Sequence, residues 1–531
     1  MSALLNDQEH DSIMSARAQL AILLVAAGLI GLYTLLRYGG HWGEGDTSTF
    51  TRAIRSVADT GRIAPDDRFV YGSGYNYPSL VVFLMHLCRI NLSDVQIYAA
   101  PLLVVWLVIP AWLAYREITG STRGATLATA ILIIQPELLF AVLRGTHEKF
   151  TRGMMLLCLF LLFRSLRIPH HPARFTALVI TFYLMGYAII TSNNLMATSF
   201  TVAIGLALVL IWMVSRREQV TARLSKPTLT RLGYVVATLL VLAFLFIFYA
   251  YTPAHHSLLM MESIWERVLS MLLNVEAERT NPYTIMGNLW INPAVYMLVS
   301  LANWLLLGST ALLWMGQSFQ WLLRGKGPAT THELLLWAFY GAFAFQGALS
   351  VGIDISGALA ANLQHRIFPS FAMLAAPIAA RAIIDWRPTN LRIGRLANAG
   401  LALVFGFLTI MSVLKATNEP MVSNKWLFYV PGELQAVAWS EEHLIYRTLW
   451  TEFDERIFAA VRVGNGASDI QLNIIPNLET NIVRDFLISD VTRWRSERTG
   501  DIIPIEADSL ITYDNGQAQI YHLRPQTPYQ P

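Results

Sequence analysis

Long apolar runs fill the chain up to about residue 414, and shorter alternating patterns follow them. Residues 18-36 form an uninterrupted apolar stretch. Further runs of spanning length lie at 95-115, 124-143, 151-167, 173-191, 195-214, 232-252, 293-315, 333-352, 366-384 and 396-414. A helix needs roughly 20 mostly apolar residues to cross the hydrocarbon layer of a bilayer. The pattern therefore predicts a polytopic α-helical membrane protein with about eleven transmembrane helices.

Two apolar stretches need separate interpretation. The run SLVVFLMHLCRI after Pro78 has only about eleven clearly apolar residues, against the roughly 20 needed to span, so we predict that residues 79-90 are re-entrant or interfacial. The stretch 18-36 is followed by LLRYGG, where a signal peptide would show a small-residue cleavage site. We therefore interpret it as an uncleaved first helix.

Basic residues favour one orientation of these helices. If the N-terminus is cytoplasmic and residues 79-90 do not cross, the inner loops include 215-231, the densest basic segment of the membrane part. Short cytoplasmic loops of membrane proteins are enriched in Lys and Arg. We therefore expect an integral plasma-membrane protein whose loops 37-94 and 253-292 lie outside the cytoplasm, together with everything after residue 414.

The charge balance changes near residue 415. The chain is 54% hydrophobic and only 14% charged, with a mean hydropathy of +0.44. Residues 415-531 carry 10 basic and 16 acidic residues, against 29 and 20 in the first 414. The late segment LITYDNGQAQIYHL indicates a hairpin that turns at Asn515-Gly516. We predict a transmembrane domain over 1-414 and a small extracytoplasmic α/β domain over 415-531, with no nucleic acid as partner.

The outer loop 253-292 contains one apolar pattern of helical spacing. Ile264, Val268, Leu272 and Val275 recur every three or four residues in ESIWERVLSMLLNVEAE. This spacing predicts an amphipathic helix that lies on the outer membrane surface.

The first candidate site lies in the loop that follows the first helix. Glu44 and Asp46 are two residues apart in the glycine-flanked segment HWGEGD, where the backbone can approach a ligand closely. A carboxylate pair here is placed to meet a polar substrate at the membrane surface. The alternative is a solvated acid and a helix cap, with Asp46 or Thr47 capping the helix TSTFTRAIRSVA.

The second candidate is RGTHEKFTR, between two apolar segments. Arg144, His147, Glu148, Lys149 and Arg152 crowd into nine residues, so some of them must be partly desolvated. Interfacial anchoring by snorkelling basic side chains is the alternative, and it accounts for Arg152 better than for the adjacent His147 and Glu148.

The third candidate is NLQHRIFPS, where His365 and Arg366 open a helix at its predicted outer end. Arginine carries a rigid fork of donors that matches phosphate oxygens. An interfacial anchor is the competing interpretation of Arg366.

Over about the first 200 residues, these features resemble the GT-C superfamily of polyprenyl-phosphate-dependent membrane glycosyltransferases. That superfamily includes oligosaccharyltransferase catalytic subunits, protein O-mannosyltransferases and aminoarabinose transferases. The resemblance rests on the first helix, the acidic GEGD, the helix opened by Tyr77-Pro78 and the stretch AWLAYREITGSTRGATLATAILIIQPELLF. RGTHEKF stands where the family has its second outer motif, with His147-Glu148-Lys149 in place of the DxD-like pair of oligosaccharyltransferases.

The resemblance implies inverting transfer of a sugar from a polyprenyl-phosphate donor to a lipid, glycan or protein acceptor. Asp46 would act as the base, with Glu44 beside it, while Arg144, Lys149 and Arg366 neutralise the departing phosphate. A divalent ion, Mg²⁺ or Mn²⁺, would be held by Asp46 with His147 or Glu148.

Two other functions remain open at this point. A transporter or flippase for a lipid-linked or anionic solute would use the same basic residues as a binding vestibule, and it requires an inner vestibule of comparable polarity. A surface anchor for an outer binding domain is the third interpretation, although eleven helices exceed what anchoring requires.

Overall fold

The computed structural model describes residues 2–523 apart from several segments. These are 65–68, 168–171, 216–225, 324–327, 329, 356–362, 387–390, 424–425, 446–447, 452–454, 464–470, 474–483, 500–502, 504–508 and all but four positions of 256–290. The amphipathic helix predicted from Ile264, Val268, Leu272 and Val275 lies outside the described residues.

The main α-helices of the described residues build the membrane domain and its first loop. They are α1 Ser2–Tyr38, α2 Gly45–Thr60, α3 Asn76–Cys88, α4 Leu92–Thr119, α5 Thr122–Ile133, α6 Pro136–Leu143, α7 Glu148–Arg167, α8 Pro172–Ser192, α9 Asn194–Ser215, α10 Lys226–Leu245, α11 Pro293–Val299, α12 Leu301–Leu323, α13 Thr331–Ile355, α14 Leu363–Asp385 and α15 Leu391–Ala416. A π-helical turn, Phe246–Ala250, continues α10.

The predicted helical membrane architecture is confirmed. Among the described residues, eight helices are long and apolar enough to cross a bilayer, or ten if each of two bent pairs counts as one span. The bent pairs are α5 with α6 and α11 with α12, which turn by 74° and 67°. The predicted span 151-167 lies within α7, but the five charged residues of α7 keep it out of that set. The upper count is therefore one below the predicted eleven.

Helix α3 has the length expected of a segment that does not span. It is a 13-residue apolar helix, and at about 1.5 Å per residue it covers roughly 20 Å, less than the 30 Å of a hydrocarbon core. Its Tyr77 and Val81 are buried against Phe50 and Ile54 of α2, in a small core of the first loop. This core holds α2 over the membrane domain.

A mixed sheet forms the C-terminal domain. Its strands are β1 Thr448–Trp450, β2 Gln471–Asn473, β3 Arg484–Ser489, β4 Leu510–Asp514 and β5 Ala518–Leu523, in the spatial order β2-β1-β3-β5-β4. Three helices accompany them: α16 Pro431–His443, α17 Glu455–Val463 and α18 Asp490–Thr499. The predicted hairpin is confirmed, since β4 and β5 are antiparallel and Gly516 turns with a φ of 79°.

The first loop and the C-terminal domain lie on the same side of the membrane domain. Trp42 and Phe428 form an isolated antiparallel bridge, and α2 packs against α17. Arg37 at the end of α1 also pairs with Glu419 just after α15, with 2.9 Å between Nε and Oε1. These contacts join the beginning of the first loop to the beginning of the C-terminal domain.

Candidate functional site

Glu44, rather than Asp46 or Thr47, caps α2. Its carboxylate oxygen Oε2 accepts hydrogen bonds from the backbone N–H of Thr47 at 2.9 Å and from the Thr47 hydroxyl at 3.1 Å. A carboxylate that accepts from the first turn offsets the unpaired N–H groups there. The Glu44 side chain is only 9% exposed, whereas that of Asp46 is 58% exposed. The two carboxylates thus have different environments, and Asp46 is the one that solvent reaches.

Arg144 connects both carboxylates to the second candidate segment. Its Nη1 atom lies 2.8 Å from Glu44 Oε1 and 2.6 Å from Asp46 Oδ2, and its Nε donates to the carbonyl of Phe140 at 3.1 Å. Burial alone would lower the pKa of Arg144, but the charges of Glu44 and Asp46 raise it above its ordinary value. The guanidinium therefore stays charged and holds the Asp46 carboxylate in place.

The loop between α6 and α7 is packed tightly under α2. A side chain at Gly145 would place its Cβ 2.7 Å from Gln96 Oε1 and 2.8 Å from Thr47 Cγ2. Gln96 of α4 donates to the Gly145 carbonyl and to the Thr51 hydroxyl, both at 3.1 Å. Gly145 in turn donates its N–H to the Thr47 hydroxyl at 3.2 Å. These bonds fix Arg144 relative to α2.

His147 is a buried, fully hydrogen-bonded imidazole. Its Nε2 lies 3.0 Å from Asn193 Nδ2 and 3.2 Å from the Tyr71 hydroxyl, and its Nδ1 lies 3.1 Å from the Thr151 hydroxyl. The amide nitrogen of Asn193 can only donate, and Asn193 Oδ1 accepts from the backbone N–H of Met196 at 3.0 Å, so this network assigns the lone pair to Nε2 and the proton to Nδ1. Burial lowers the pKa of His147 to about 4, so the ring is neutral at physiological pH.

Arg152 is a buried tie between helices, which contradicts the interpretation as an interfacial anchor. Its side chain is 1% exposed and pairs with Glu148 at 3.0 Å. The same guanidinium donates to the Ser370 hydroxyl, and to the carbonyl of Arg366 at 2.9 Å. Arg152 therefore joins α7 to the first turns of α14.

Asp354 holds the start of α14 from a second direction. Its carboxylate accepts the backbone N–H groups of Leu363 at 2.8 Å and of Gln364 at 2.9 Å, and it is completely buried. Arg366 thus projects from a helix end fixed by two neighbours. The Arg366 side chain is itself exposed and has no carboxylate partner among the described residues.

The structure places the Lys149 side chain outside the cavity that Arg144 and Arg366 line. It is fully buried, and its ammonium donates to the carbonyls of Arg144 at 2.6 Å and Thr146 at 3.4 Å. It lies one residue after Glu148 on α7 and so faces the loop below it. The expectation that Lys149, Arg144 and Arg366 line one cavity therefore fails for Lys149, which closes the loop that carries Arg144.

One cavity of about 470 Å³ brings together five of the predicted residues, whereas Glu44, like Lys149, is not among its lining residues. Asp46, Arg144, His147, Glu148 and Arg366 all line it. Helices α9, α13 and α14 contribute an apolar wall of Leu195, Met196, Val202, Leu349, Ile353 and Ile367, among which the polar side chains Thr198, Ser199, Gln346, Ser350 and Ser370 are interspersed. A polar end and an apolar wall suit a ligand that has a charged head and a hydrocarbon chain.

The predicted metal ligands do not form a metal site. The described part of the chain contains no cluster of three or more His, Cys, Asp and Glu side chains arranged for a metal ion. His147 uses both ring nitrogens, Glu148 pairs with Arg152, and Arg144 already occupies Asp46 Oδ2. Asp46, His147 and Glu148 therefore do not fit a divalent ion in this arrangement.

His365 does not line this cavity, although it precedes Arg366. Its Nδ1 lies 3.3 Å from Glu137 Oε2, and the other Glu137 oxygen lies 2.6 Å from Lys415 Nζ. Successive residues of a helix point about 100° apart, which is why α14 presents Arg366 and His365 to different neighbours. His365 belongs to a separate polar cluster at α6 and α15.

Comparison with known proteins shows a fold likeness. No protein-family model and no curated protein sequence matches the chain. The oligosaccharyltransferase of Archaeoglobus fulgidus in the apo form superimposes with a TM-score of 0.55 at 12% identity, over 86% of this chain and 64% of that one. ArnT from Cupriavidus metallidurans bound to undecaprenyl phosphate superimposes with a TM-score of 0.54 at 11% identity, over 94% of this chain and 97% of that one.

The chain has the GT-C fold. A second structure of the same oligosaccharyltransferase, tethered with an acceptor peptide containing the NVT sequon, gives a TM-score of 0.53 at 12% identity over 85% and 63% of the two chains. The chain thus spans less than two thirds of the length of the oligosaccharyltransferase. The resemblance seen in the sequence is confirmed at the level of the fold.

Sequence reasoning missed several residues of the site. Tyr71 and Asn193 fix the His147 ring, and Gln96 fixes the loop that carries Arg144. Asn193 lies in the polar break TSNN between two apolar runs, which is a detectable signal. Gln96 is a single amide near the start of the apolar run 95-115, and nothing in its local pattern distinguishes it.

Proposed function

We propose that this protein is a membrane glycosyltransferase that moves a sugar from a polyprenyl-phosphate donor to an acceptor. The observation that carries the proposal is a cavity lined by an exposed carboxylate, Asp46, by Arg366, which has no carboxylate partner among the described residues, and by an apolar wall. Transfer from a lipid phosphate needs those three elements: a base for the acceptor, a cation for the leaving group and a surface for the lipid. The GT-C fold supports this assignment.

Asp46 is the proposed base. Arg144 occupies its Oδ2, while Oδ1 has no partner among the described residues, and the side chain is more than half exposed. An acceptor hydroxyl or amide that approaches Oδ1 can give up its proton as its heteroatom attacks the anomeric carbon. The attack displaces the polyprenyl phosphate, so the sugar-to-phosphate bond breaks as the new glycosidic bond forms, with inversion. Glu44 supports the base through Arg144 and the α2 cap.

Arg366 and Arg144 are the proposed phosphate ligands. Arg366 offers at the cavity surface a guanidinium that no carboxylate pairs with in the described part of the chain. Arg144 uses Nη1 and Nε in the bonds described above, and its Nη2, which has no acceptor within the described ranges, is left for a further acceptor. Charge that develops on the leaving phosphate is stabilised by donors already fixed in place. Lys149 acts indirectly in this scheme, since its ammonium holds the Arg144 carbonyl.

The apolar wall of α9, α13 and α14 is the proposed seat of the polyprenyl chain. ArnT, which has this fold, is known in complex with undecaprenyl phosphate. Here the wall begins beside Arg366 and Ser370, so a phosphate held by Arg366 leaves its hydrocarbon chain next to Ile367 and Leu349. The site then lies at the outer face of the plasma membrane, with the N-terminus in the cytoplasm and the domain 415-531 outside. The acceptor is a lipid, a glycan or a protein.

Loss and restoration of the gene test this proposal. In cells that lack the protein we expect one polyprenyl-phosphate sugar to accumulate, and wild-type protein should remove it while Asp46→Asn protein does not. An unchanged profile of lipid-linked sugars in the deletion strain would refute the proposal.

A second assay separates an enzyme from a flippase or transporter. The accumulated lipid, added to purified protein in detergent micelles, should lose its sugar to an acceptor fraction from the same cells. Micelles have no two compartments, so a transporter cannot produce a covalent product there. A lipid that accumulates in cells and stays intact in micelles with active acceptor would favour the transporter.

A further inference from the structure

The segment just before Glu44 forms a short two-stranded ladder with the C-terminal domain. Gly43 donates its N–H to the carbonyl of Leu427 at 2.6 Å, and Tyr429 donates its N–H to the carbonyl of His41 at 3.0 Å. Between them Trp42 is bridged to Phe428, whose ring stacks on Tyr38 at 5.9 Å. The residue that immediately precedes the α2 cap is therefore bonded to a segment more than 380 residues away.

Gly43 is also pressed against helix α17. A Cβ atom on Gly43 would lie 2.5 Å from the carbonyl oxygen of Arg456 and 2.8 Å from the backbone nitrogen of Ala460. Both are main-chain atoms of a helix, so neither can turn aside as a side chain would. Only glycine permits this approach, and the approach sets the distance between α17 and the start of α2.

Arg456 anchors that contact in the core of the C-terminal domain. It is 2% exposed and pairs through Nη2 with the buried Glu433 at 3.0 Å. Its Nη1 donates to the carbonyl of Phe428 at 2.5 Å, and Phe428 belongs to the strand that pairs with residues 41–43. One guanidinium thus fixes α17, α16 and the strand beside Gly43 together.

We propose that the C-terminal domain is a positioning element of the active site, which sets the place of Asp46 through Gly43 and Arg456. The proposal rests on the proposed role of Asp46 as the base. Helix α2 begins one residue after Glu44, so displacement of Gly43 moves the first turn of α2 and Asp46 with it. Arg144 can follow Asp46 only as far as its bonds to Phe140 and to Glu44 allow. A misplacement of about 1 Å at a reacting group can cost on the order of 100-fold in rate.

Two glycines on either side of Glu44 make a matched pair of test variants. Gly43→Ala places a methyl group against α17, whereas Gly45→Ala places one where no atom lies within 4 Å. Gly45 does not line the cavity. We expect Gly43→Ala to lower kcat by about 10- to 100-fold and to leave KM for the donor within about twofold of wild type. The reason is that a misplaced base weakens stabilisation of the transition state but does not affect donor binding. Gly45→Ala should retain at least half of the wild-type kcat.

Amide hydrogen exchange of the peptide 41–48, followed by mass spectrometry, gives a readout that needs no activity. Exchange there should be faster in Gly43→Ala than in Gly45→Ala, because the Gly43 bond to Leu427 is strained by the same methyl group. Equal exchange in the two variants would overturn the proposal. Faster exchange with an unchanged kcat would also overturn it, since the domain would then hold the segment without positioning the base.

A second pair covers the case in which Gly43→Ala protein does not fold. Arg456→Lys keeps the charge but cannot bond Phe428 and Glu433 as a fork, while Arg462→Lys changes an arginine of the same helix that stacks on Phe458 at 3.7 Å. We expect Arg456→Lys to lower kcat and to speed exchange at 41–48, with Arg462→Lys close to wild type. Equal behaviour of the two variants would overturn the proposal. If folded wild-type protein has no transferase activity, the proposed function is refuted. The exchange data would still show whether the C-terminal domain holds residues 41–48 in place.

Discussion

Two arginine–carboxylate clusters in this protein use the same chemical groups in opposite surroundings. In the C-terminal domain, Glu433 is completely buried, accepts from Arg456, Ser489 and the Val430 backbone, and has no solvent contact. In the cavity, Asp46 accepts from Arg144 through one oxygen and keeps the other in an open space. A carboxylate whose lone pairs are all used stabilises a structure, and one that keeps a lone pair free can react. Predictions for the two clusters should therefore diverge.

The largest effect on activity is expected at Asp46. Asp46→Asn should lower kcat by about 100- to 10,000-fold, the usual contribution of a general base, because the amide cannot take a proton. Thermal unfolding should stay close to wild type, since the side chain is more than half exposed. Steady-state kinetics and a thermal melting curve on the same sample measure the loss of kcat and the unchanged stability. Activity within about threefold of wild type would show that Asp46 is not the general base.

The largest effect on stability is expected at Glu433. Glu433→Gln leaves the Arg456 charge buried without its counter-ion, and breaking a buried pair in this way costs about 3–5 kcal/mol. Limited proteolysis of the C-terminal domain against temperature measures the change. Glu442→Gln, on the exposed side of the same helix, is the matched control. Equal midpoints for the two variants would show that the pair adds little to the fold.

A smaller effect is expected at Glu44, which lies between the two extremes. Glu44→Gln keeps an oxygen that can accept from Thr47 but removes one of the two charges on Arg144. We expect an activity loss of less than about tenfold together with a lower unfolding midpoint, because charge-assisted bonds are roughly twice as strong as neutral ones. A loss as large as that of Asp46→Asn would move the base role to Glu44.

The smallest effect is a pH dependence at His147. Burial lowers its pKa to about 4 in the folded protein, against about 6.5 for a free imidazole. As the pH falls below 6.5, the unfolded chain binds the proton first, so the stability contributed by neutral His147 is complete above that pH and declines toward pH 4. The thermal unfolding midpoint of His147→Gln protein should therefore change less between pH 6.5 and pH 4 than the midpoint of wild-type protein. The same pH dependence of the midpoint in both proteins would show that a group other than His147 causes it.

The sequence was sufficient to predict the membrane architecture and part of the cavity. Runs of about 20 apolar residues are a local signal, and so is the Asn515-Gly516 turn. Asp46, Arg144 and Arg366 were predicted from short polar motifs at helix ends, and the structure brings them to one cavity. Their catalytic and binding roles stay predictions.

Local pattern could not predict which charges would be buried. Arg152 and Lys149 lie three residues apart in one motif with Arg144, and both are inaccessible in the fold. Their burial depends on Ser370 and on backbone carbonyls that the packing of α14 and the loop before α7 supplies. The Glu44 carboxylate that caps α2 likewise accepts from Arg144, 100 residues away in the sequence. The residues that are adjacent in the sequence do not indicate such long-range contacts.

The ladder between residues 41–43 and 427–429 has a consequence for biosynthesis. Its first strand leaves the ribosome with the first helix, but its partner emerges only after the last span has been made. Pairing of such distant segments forms late, because the whole intervening chain must be placed first. During translation the first loop is therefore without its final support. A nascent or truncated chain that stops before residue 427 is expected to insert its helices into the membrane but to be inactive.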